Sequence, residues 1–373
     1  MKFIVSSTLL LKNLQAVGGI LNSRNTMPIL DDFLFELNED NLKITASDLE
    51  TTMITDLKVD MAEGSGSIAI PAKTVLDMLK TFADIPISFN INPSTQAIDI
   101  SAGEGRYKMA GHNGDEFPKI PEFDETETIV LPSATLQNAI SKTIFATSNE
   151  EFRPGITGVL FDIYPDEIIF VATDAHKLVK YTKTGETGKE KTSFIVPKKP
   201  LNQLKATLGT DEYEVKVEYN KTNVTFSFGN IQLFSRLISG AFPNYNAIIP
   251  QDNPNKMIID RALMITTLRR VGFFANQSTN QVRLSISGQE LLISGEDSEY
   301  ASEAKERLAC EYKGQDLVIG FNSRFLLELL SHIESDQINM EFSAPNRAAV
   351  VLPIEDESDE KLFMLISPVM LNS

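Results

Sequence analysis

Cysteine and histidine are scarce in this chain. Its 373 residues include one cysteine and three histidines, too few for a disulfide framework or for a C-x-x-C or H-x-x-x-H zinc pattern. No G-x-x-x-x-G-K-[ST] loop and no G-x-G-x-x-G turn occurs, so no motif supports nucleotide binding. A magnesium site made of carboxylates alone is the open alternative, but no acidic cluster stands out, so we predict no metal site and no cofactor.

Long apolar runs are missing as well. The first residues, "MKFIVSSTLLLKNL", contain apolar stretches of only three residues, which fit neither a signal peptide nor a membrane span. The lone Cys310 and the lack of an export signal predict the reducing cytoplasm. The apolar fraction of 42% and the charged fraction of 23% are typical of a globular protein, and the length predicts two or three domains.

A pattern of strand followed by amphipathic helix occurs three times. It begins at Phe3, Ile129 and Met257, at offsets of 126 and 128 residues. A later strand in each copy ends in an aspartate, and a second strand-to-helix unit recurs at 68–82, 194–208 and 317–333. Matched features in the same order indicate an internal triplication. The polar, proline-bearing segments between the copies predict domains at 1–122, 128–250 and 256–373.

Each copy combines alternating strands with two helices. Stretches such as 41–59 and 216–237 alternate apolar and polar residues, which is typical of half-buried strands. This pattern predicts an α+β fold in which helices cover one face of largely antiparallel sheets. The six predicted helices are 6–21, 71–83, 132–148, 197–208, 260–276 and 322–333.

Positive charge is concentrated in these predicted helices. The whole chain has a net charge of −17, yet the helices hold eleven basic and three acidic residues, a balance of +8. Solvated helix faces often carry lysine and arginine, but glutamate forms helices equally well and is nearly absent here. A basic helical layer on an acidic protein favours a surface that faces a polyanion. Since no recognition helix or zinc finger is present, we expect phosphate contacts that are independent of sequence.

Several short motifs carry a resemblance over the whole chain. They are "MKF" (1–3), "R-x-T-M-P-I-L" (24–30), "S-D-L-E" (47–50), "A-T-D-A-H-K-L" (172–178), "V-P-K-K" (196–199), "F-P-N-Y" (242–245) and "G-F-N" (320–322). In combination they resemble the bacterial sliding clamps, the beta subunits of DNA polymerase III. The resemblance implies three repeated clamp-type domains and a head-to-tail homodimeric ring whose helices line a central hole.

The same resemblance implies a function without chemistry. A clamp encircles double-stranded DNA, slides along it and tethers the replicative polymerase, while a separate ATP-driven loader opens the ring. The implied partners are a second copy of the chain, DNA, the polymerase III alpha subunit, the clamp loader and other replication and repair proteins. The rival hypothesis is a triplicated scaffold protein that does not bind nucleic acid.

Residues for DNA binding follow from motif and from helix placement. Arg24 matches a family position that touches DNA, and Lys198 and Lys199 follow the "V-P" junction in the same way. Helix placement alone adds Lys73, Lys142, Lys205 and Arg269.

Ring closure is assigned to two segments by resemblance. "GRYKM" (105–109) resembles the edge segment of the first domain and makes Tyr107 a candidate interface residue. "VGFFAN" (271–276) resembles the opposing helix, with Phe273 and Phe274 as apolar anchors. The alternative is that these two phenylalanines form an internal core pair.

A partner-peptide cleft between the second and third domains is also implied. Its expected residues are Ile156, Thr173, Ala175, His176, Lys177, Leu178, Pro243, Ile248, Asn322, Phe325, Ile366, Pro368, Val369 and Met370. The chain departs from the family where Ala175 replaces the usual glycine and Lys177 replaces arginine. "PGI" (154–156) stands where many relatives carry aromatic residues, and the tail runs two polar residues past Leu371. These departures predict a cleft whose preferred peptide differs from that of better-known clamps.

Asp174 and His176 look like part of a catalytic dyad, but the repeats argue against it. The matching residues Asp48 and Asp297 have no histidine two positions later. An aspartate present in all three copies is better explained as an acceptor for backbone N–H groups in a turn. We therefore predict no catalytic residue.

Overall fold

The computed structural model describes residues 1–21, 27–119, 125–185, 190–354 and 359–371. The chain divides into two compact units. The N-terminal unit comprises Met1–Ala134 and Lys199–Leu237, and the C-terminal unit comprises Thr135–Lys198 and Ile238–Ser373.

Six α-helices occur among the described residues. They are α1 Ser7–Gly18, α2 Ala72–Leu79, α3 Ser133–Thr143, α4 Lys198–Leu208, α5 Arg261–Gly272 and α6 Ser323–Ser331. Their positions confirm the six predicted helices, but several predicted C-terminal ends were too long. Beyond Thr143, for example, the chain tightens into a 3₁₀ turn, Ile144–Ala146, so the predicted helix 132–148 was wrong at that end.

The strands in the described residues number 27. In chain order they are β1 Lys2–Ser6, β2 Asp32–Asn38, β3 Asn41–Ser47, β4 Thr51–Lys58, β5 Met61–Glu63, β6 Gly66–Pro71, β7 Pro86–Asn92, β8 Ala97–Ala102, β9 Gly105–Ala110, β10 His112–Asn113, β11 Glu127–Pro132, β12 Gly158–Ile163, β13 Glu167–Thr173, β14 Lys177–Thr184, β15 Thr192–Pro197, β16 Glu214–Tyr219, β17 Asn223–Phe228, β18 Ile231–Arg236, β19 Asn255–Asp260, β20 Gln281–Ser287, β21 Glu290–Asp297, β22 Ser302–Ala309, β23 Glu311–Lys313, β24 Leu317–Asn322, β25 Gln337–Phe342, β26 Ala349–Pro353 and β27 Glu360–Ile366.

Two antiparallel sheets build the N-terminal unit. A five-stranded sheet has the order β5-β1-β7-β8-β9, and a nine-stranded sheet has the order β10-β6-β2-β3-β4-β18-β17-β16-β11. Strand β18, from the second repeat, pairs with β4, from the first, with Phe234 opposite Thr52. The sheet therefore runs continuously through strands of two sequence repeats.

The C-terminal unit follows the same plan. Its nine-stranded sheet has the order β15-β12-β13-β14-β27-β26-β25-β19-β23, and its four-stranded sheet has the order β22-β21-β20-β24. Strand β14 of the second repeat pairs with β27 of the third, from Lys177 opposite Ile366 to Lys183 opposite Glu360. The predicted antiparallel α+β fold is confirmed, because every strand pair in the described sheets is antiparallel.

The helices bury one apolar face, and α1 and α5 begin at a capping side chain, whereas Pro71 at the start of α2 makes no capping hydrogen bond. In α1 the buried apolar residues Leu10, Leu14 and Val17 recur at helical spacing, and each buried side chain of this kind contributes about 1.5–3 kcal/mol. The N-cap Ser6 accepts a hydrogen bond from the Leu9 N–H, and Asp260 caps α5 in the same way. The exposed faces are mostly polar, although Leu9 on α1 and Leu263 on α5 are also exposed.

Among the described residues, no helix has the length and apolar character needed to cross a membrane.

Candidate peptide-binding and nucleic-acid surfaces

Asp174 closes the turn between β13 and β14. Its Oδ1 accepts hydrogen bonds from the backbone N–H groups of His176 and Lys177, both at 2.9 Å. In the first repeat Asp48 Oδ1 accepts from Glu50 and Thr51. The predicted role of these aspartates as backbone acceptors is confirmed.

The third copy keeps only part of this arrangement. Asp297 Oδ1 accepts a single backbone hydrogen bond, from the Glu299 N–H at 3.0 Å. The shared feature is therefore the aspartate as an acceptor, since the full two-bond turn occurs in the first two copies.

Ala175 occupies a left-handed backbone conformation, with φ at 74°. Its N–H donates to Thr173 Oγ1, so side-chain hydrogen bonds hold the turn despite the unfavourable contact of its Cβ. Leu49 takes the same conformation in the first repeat, with φ at 79°. Because a residue with a Cβ pays about 1–2 kcal/mol there, both turns store backbone strain.

Lys177 is buried beside the turn. Its side chain is 4% exposed, and its Nζ lies 2.5 Å from Asp174 Oδ2 and 2.9 Å from Glu328 Oε2 on α6. The ammonium also lies 4.6 Å from the centre of the Phe325 ring, on which the exposed His176 stacks. These contacts join the turn of the second repeat to a helix of the third.

The C-terminal tail continues the same surface. The Ser367 N–H donates to the His176 carbonyl oxygen, and the Val369 N–H donates to the Gly320 carbonyl oxygen, both at 2.8 Å. A Cβ on Gly320 would lie 2.7 Å from both Val369 O and the Leu371 side chain, so glycine allows the tail to approach β24. The tail is thus held at two points.

The predicted cleft residues around the turn differ in exposure. Thr173, Leu178 and Ile366 are buried, while Pro368 and Val369 are half-buried and Met370 is 69% exposed. Leu178 and Ile366 therefore support this surface from beneath. Asn322 caps α6 by accepting from the N–H groups of Arg324 and Phe325.

The other predicted cleft residues lie on two loops. Ile156 is buried in a 3₁₀ turn, and Pro243 and Ile248 are exposed on the segment that follows β18. The two loops are close together, since a Cβ on Gly155 would collide with the Ala241 carbonyl oxygen.

Tyr245 anchors the second of these loops. Its hydroxyl donates to Asp162 Oδ2 at 2.8 Å, and Tyr164 donates to the same oxygen at 3.1 Å. Burial, followed by the hydrogen bond to Asp162, raises the pKa of Tyr245 well above its usual range. The Tyr245 ring packs in one apolar cluster with Leu178, which connects the loop to the turn.

Sequence reasoning missed Asp162, Tyr245, Gly320 and Glu328 as parts of this surface. Tyr245 lies within the "F-P-N-Y" motif and Gly320 within "G-F-N", so both could have been found there. Glu328 and Asp162 gave no signal, because only the packing shows which groups they face.

The basic helix residues fall into two groups. Lys73 on α2 and Arg269 on α5 are exposed, and Lys198 and Lys205 on α4 are half-buried; none of these four has an ion-pair partner among the described residues. Lys12 and Arg324 are also exposed helix cations, and sequence reasoning did not select them. Arg24 lies outside the described residues.

Two predicted DNA-binding lysines are engaged within the protein. Lys199 forms an ion pair with Asp48 and donates to the Ile20 carbonyl oxygen at 2.7 Å. Lys142 is 18% exposed, with its Nζ 3.9 Å from Glu334. Their charges are therefore partly compensated internally.

With the observed helix bounds the charge segregation persists. The six helices hold ten basic residues and two acidic ones, a balance of +8. Not every base is available, since Arg270 on α5 makes two hydrogen bonds to Glu306 on β22, at 2.6 and 2.8 Å. This pairing keeps the pKa of Glu306 below its usual range.

The predicted dimer residues lie at exposed positions. Tyr107 is on β9, an outer strand of its sheet, and packs edge-on against Phe82. Phe273 and Phe274 follow α5 and are 86% and 43% exposed, so the alternative of an internal core pair is wrong. These three aromatic side chains therefore leave apolar surface exposed in the single chain.

Comparison with known proteins gives a consistent answer along the chain. Residues 1–121, 130–244 and 246–367 match the family models of the DNA polymerase III beta subunit for its N-terminal, central and C-terminal domains. The "Beta sliding clamp" of Haemophilus influenzae is 28% identical over 368 residues, covering 98% of this chain and 99% of that protein. That of Bacillus subtilis is 27% identical over 379 residues, covering 99% of each.

Solved structures agree with the sequence relatives. The DNA polymerase III subunit beta of Pseudomonas aeruginosa superposes with a TM-score of 0.95 at 26% identity, covering 100% of both chains. The DNA polymerase sliding clamp of Bacillus subtilis gives a TM-score of 0.92 at 25% identity, again with complete coverage. With three domain models in the right order and full-length relatives in sequence and structure, this chain belongs to the family of bacterial DNA polymerase III beta subunits, the DNA sliding clamps.

Proposed function

We propose that two copies of this chain close head to tail around duplex DNA and slide along it, tethering the replicative polymerase. The observation that carries the proposal is the segregation of charge, with +8 on the helices of a chain whose net charge is −17. Phosphate contacts without base contacts hold a duplex while allowing movement along it. The scaffold alternative without DNA is not favoured.

The residues proposed for DNA contact differ in how far nearby carboxylates compensate their charge. Lys73, Lys198, Lys205 and Arg269 are the strongest candidates, because their charges have no ion-pair partner within the described part of the chain. Lys142 and Lys199 contribute less, since each lies near a carboxylate. Arg24 remains a candidate on its motif alone.

Partners are proposed to dock on the surface around the Asp174 turn. The alpha subunit of the polymerase, the clamp loader and repair proteins would insert short apolar peptides there. Met370 and Ile248 are exposed apolar side chains. Residues near each of them in the sequence pack in the apolar cluster beneath the turn. A few polar groups around apolar anchors are the usual composition of such a site. The second subunit would cover Tyr107, Phe273 and Phe274. The protein would act in the cytoplasm and would make or break no covalent bond itself.

Retention on DNA of different topology tests the ring. Protein loaded onto nicked circular DNA should remain bound through gel filtration, while protein on linear DNA of the same sequence should slip off the ends. Equal loss from both forms would contradict encirclement.

Charge reversal tests the helices. Replacing Lys73, Lys198 and Arg269 together by Glu should reduce retention on the circle by about tenfold, because phosphate attraction becomes repulsion. The matched control replaces Lys221, Lys313 and Lys361, three exposed lysines outside the helices, and should retain most binding. A peptide-binding measurement on both variants should show no change. Equal losses in the two triple variants would refute the helical surface.

A further inference from the structure

The cation in the proposed peptide cleft is already paired. Lys177 Nζ has Asp174 Oδ2 at 2.5 Å, Glu328 Oε2 at 2.9 Å and the Phe325 ring at 4.6 Å, and the side chain is 4% exposed. An ammonium has three N–H donors, so two carboxylates and an aromatic face leave little capacity for a ligand. A peptide carboxylate could reach Lys177 only by displacing Asp174 or Glu328, so it would gain one ion pair at the loss of another.

The two carboxylates around Lys177 leave one negative charge uncompensated. Asp174 is 15% exposed at its side chain, and its Oδ1 already accepts two backbone N–H groups. Glu328 is 48% exposed, so the surplus charge faces solvent there. Phe325, one turn before it on α6, belongs to the predicted cleft.

The other charged side chains near this surface are few and of both signs. The segments 239–250 and 366–371 contain no charged residue. Near Ile156, Arg153 pairs with Glu150, and Glu151 adds a further carboxylate. Two exposed cations partly offset the charge of Glu328: Arg324, one turn before it on α6, and Arg347, next to Ala348, which packs on the apolar cluster of Leu178.

We propose that this cleft selects partner peptides that carry a lysine or arginine beside their apolar anchor residues, and that Glu328 is the specificity-determining residue. The inference rests on the proposed peptide-docking function and adds the charge of the partner to it. A basic side chain would pair with the exposed carboxylate of Glu328, whereas an acidic one would meet like charge and find Lys177 occupied.

Three matched peptides test the selectivity on the full-length protein. Each ends in Leu-Phe, with Lys, Gln or Glu directly before these two anchors. Fluorescence anisotropy at low salt should give an affinity about threefold tighter for the Lys peptide than for the Gln peptide, and about threefold weaker for the Glu peptide. At high salt the three affinities should converge, since the pair at the rim is screened.

Single-residue variants identify the carboxylate responsible. Glu328→Gln should remove the preference and improve binding of the Glu peptide, because Lys177 then has one partner fewer. Glu311→Gln removes the same charge from β23, five strands from β14 in the sheet and so about 24 Å away, and should leave the preference intact. Arg324→Gln leaves the contacts of Lys177 unchanged and should increase the preference for the Lys peptide.

The possible results separate the inference from the docking function. If wild-type protein binds all three peptides equally well, the cleft exists and the charge selectivity is wrong. If none of the three binds, peptide docking itself is wrong and the selectivity falls with it. If Glu311→Gln removes the preference as fully as Glu328→Gln, the effect comes from the net charge of the protein, and the role of Glu328 is refuted.

Discussion

The turns at Asp48 and Asp174 have the same backbone and different surroundings. In each, one aspartate oxygen accepts two backbone N–H groups, and the following residue has a positive φ. The second oxygen of Asp48 pairs with Lys199, which is 37% exposed, whereas that of Asp174 pairs with the buried Lys177. The comparison teaches that the aspartate belongs to the fold, and that the packing around it decides how deeply its lysine partner is buried.

The largest difference between the two turns is expected in the unfolding free energy lost when each aspartate is removed. Asp174→Ala deletes two backbone hydrogen bonds and leaves Lys177 with one carboxylate in a buried site, so we expect a loss of about 3–5 kcal/mol in unfolding free energy. Asp48→Ala deletes the same backbone bonds, but Lys199 can reach water, so about 2 kcal/mol is expected. Urea unfolding followed by fluorescence and circular dichroism measures both. Equal losses would show that the burial of Lys177 has no energetic consequence.

The loop beside the second turn offers a matched pair of tyrosines. Tyr245→Phe removes a buried hydrogen bond to Asp162 and should cost about 1–2 kcal/mol, while peptide affinity falls several-fold because Pro243 and Ile248 are less firmly placed. Tyr164→Phe removes a bond to the same oxygen from a more exposed ring on another segment. It should cost less than about 1 kcal/mol and leave peptide affinity unchanged. Equal affinity losses in both variants would exclude a positioning role for Tyr245.

The smallest effect is expected from relieving the strained residues. Ala175→Gly and Leu49→Gly should each stabilise the protein by about 0.5–1 kcal/mol, because glycine adopts positive φ without a Cβ contact. The gain is limited by the greater freedom of glycine in the unfolded chain. Thermal unfolding measures this gain, and anisotropy should show altered peptide affinity for Ala175→Gly alone. A change in peptide binding by Leu49→Gly would contradict the assignment of the cleft to the second turn.

Much of the fold could be predicted from the sequence because its signals are local. Alternating apolar residues predicted the strands, helical spacing predicted the six helices, and repeated offsets predicted the triplication. The helix ends were less accurate, since the chain continues beyond α3 as a 3₁₀ turn, which apolar spacing does not separate from an α-helix. The boundaries of the three predicted domains stay a prediction, because each nine-stranded sheet contains strands from two repeats.

The candidate site was predicted in part. The motif placed Thr173, His176 and Lys177 on one turn, and the structure brings Phe325 and the tail to it. The burial of Leu178 and the pairing of Lys199 with Asp48 were not predictable, because both depend on residues far away in the sequence.

The sequence by itself determined the triplicated α+β plan, the basic helices on an acidic chain and the aspartate in each repeat. These features are periodic or compositional, so they can be recognised without knowing which segments meet. Only the tertiary structure decided which charges remain available. Lys73 and Arg269 face solvent. Lys177 pairs with Glu328 and Lys199 pairs with Asp48, and each of these carboxylates lies more than a hundred residues away in the sequence. The physical reason is that the electrostatic energy of a charge depends on its burial and its nearest partners, and long-range packing sets both.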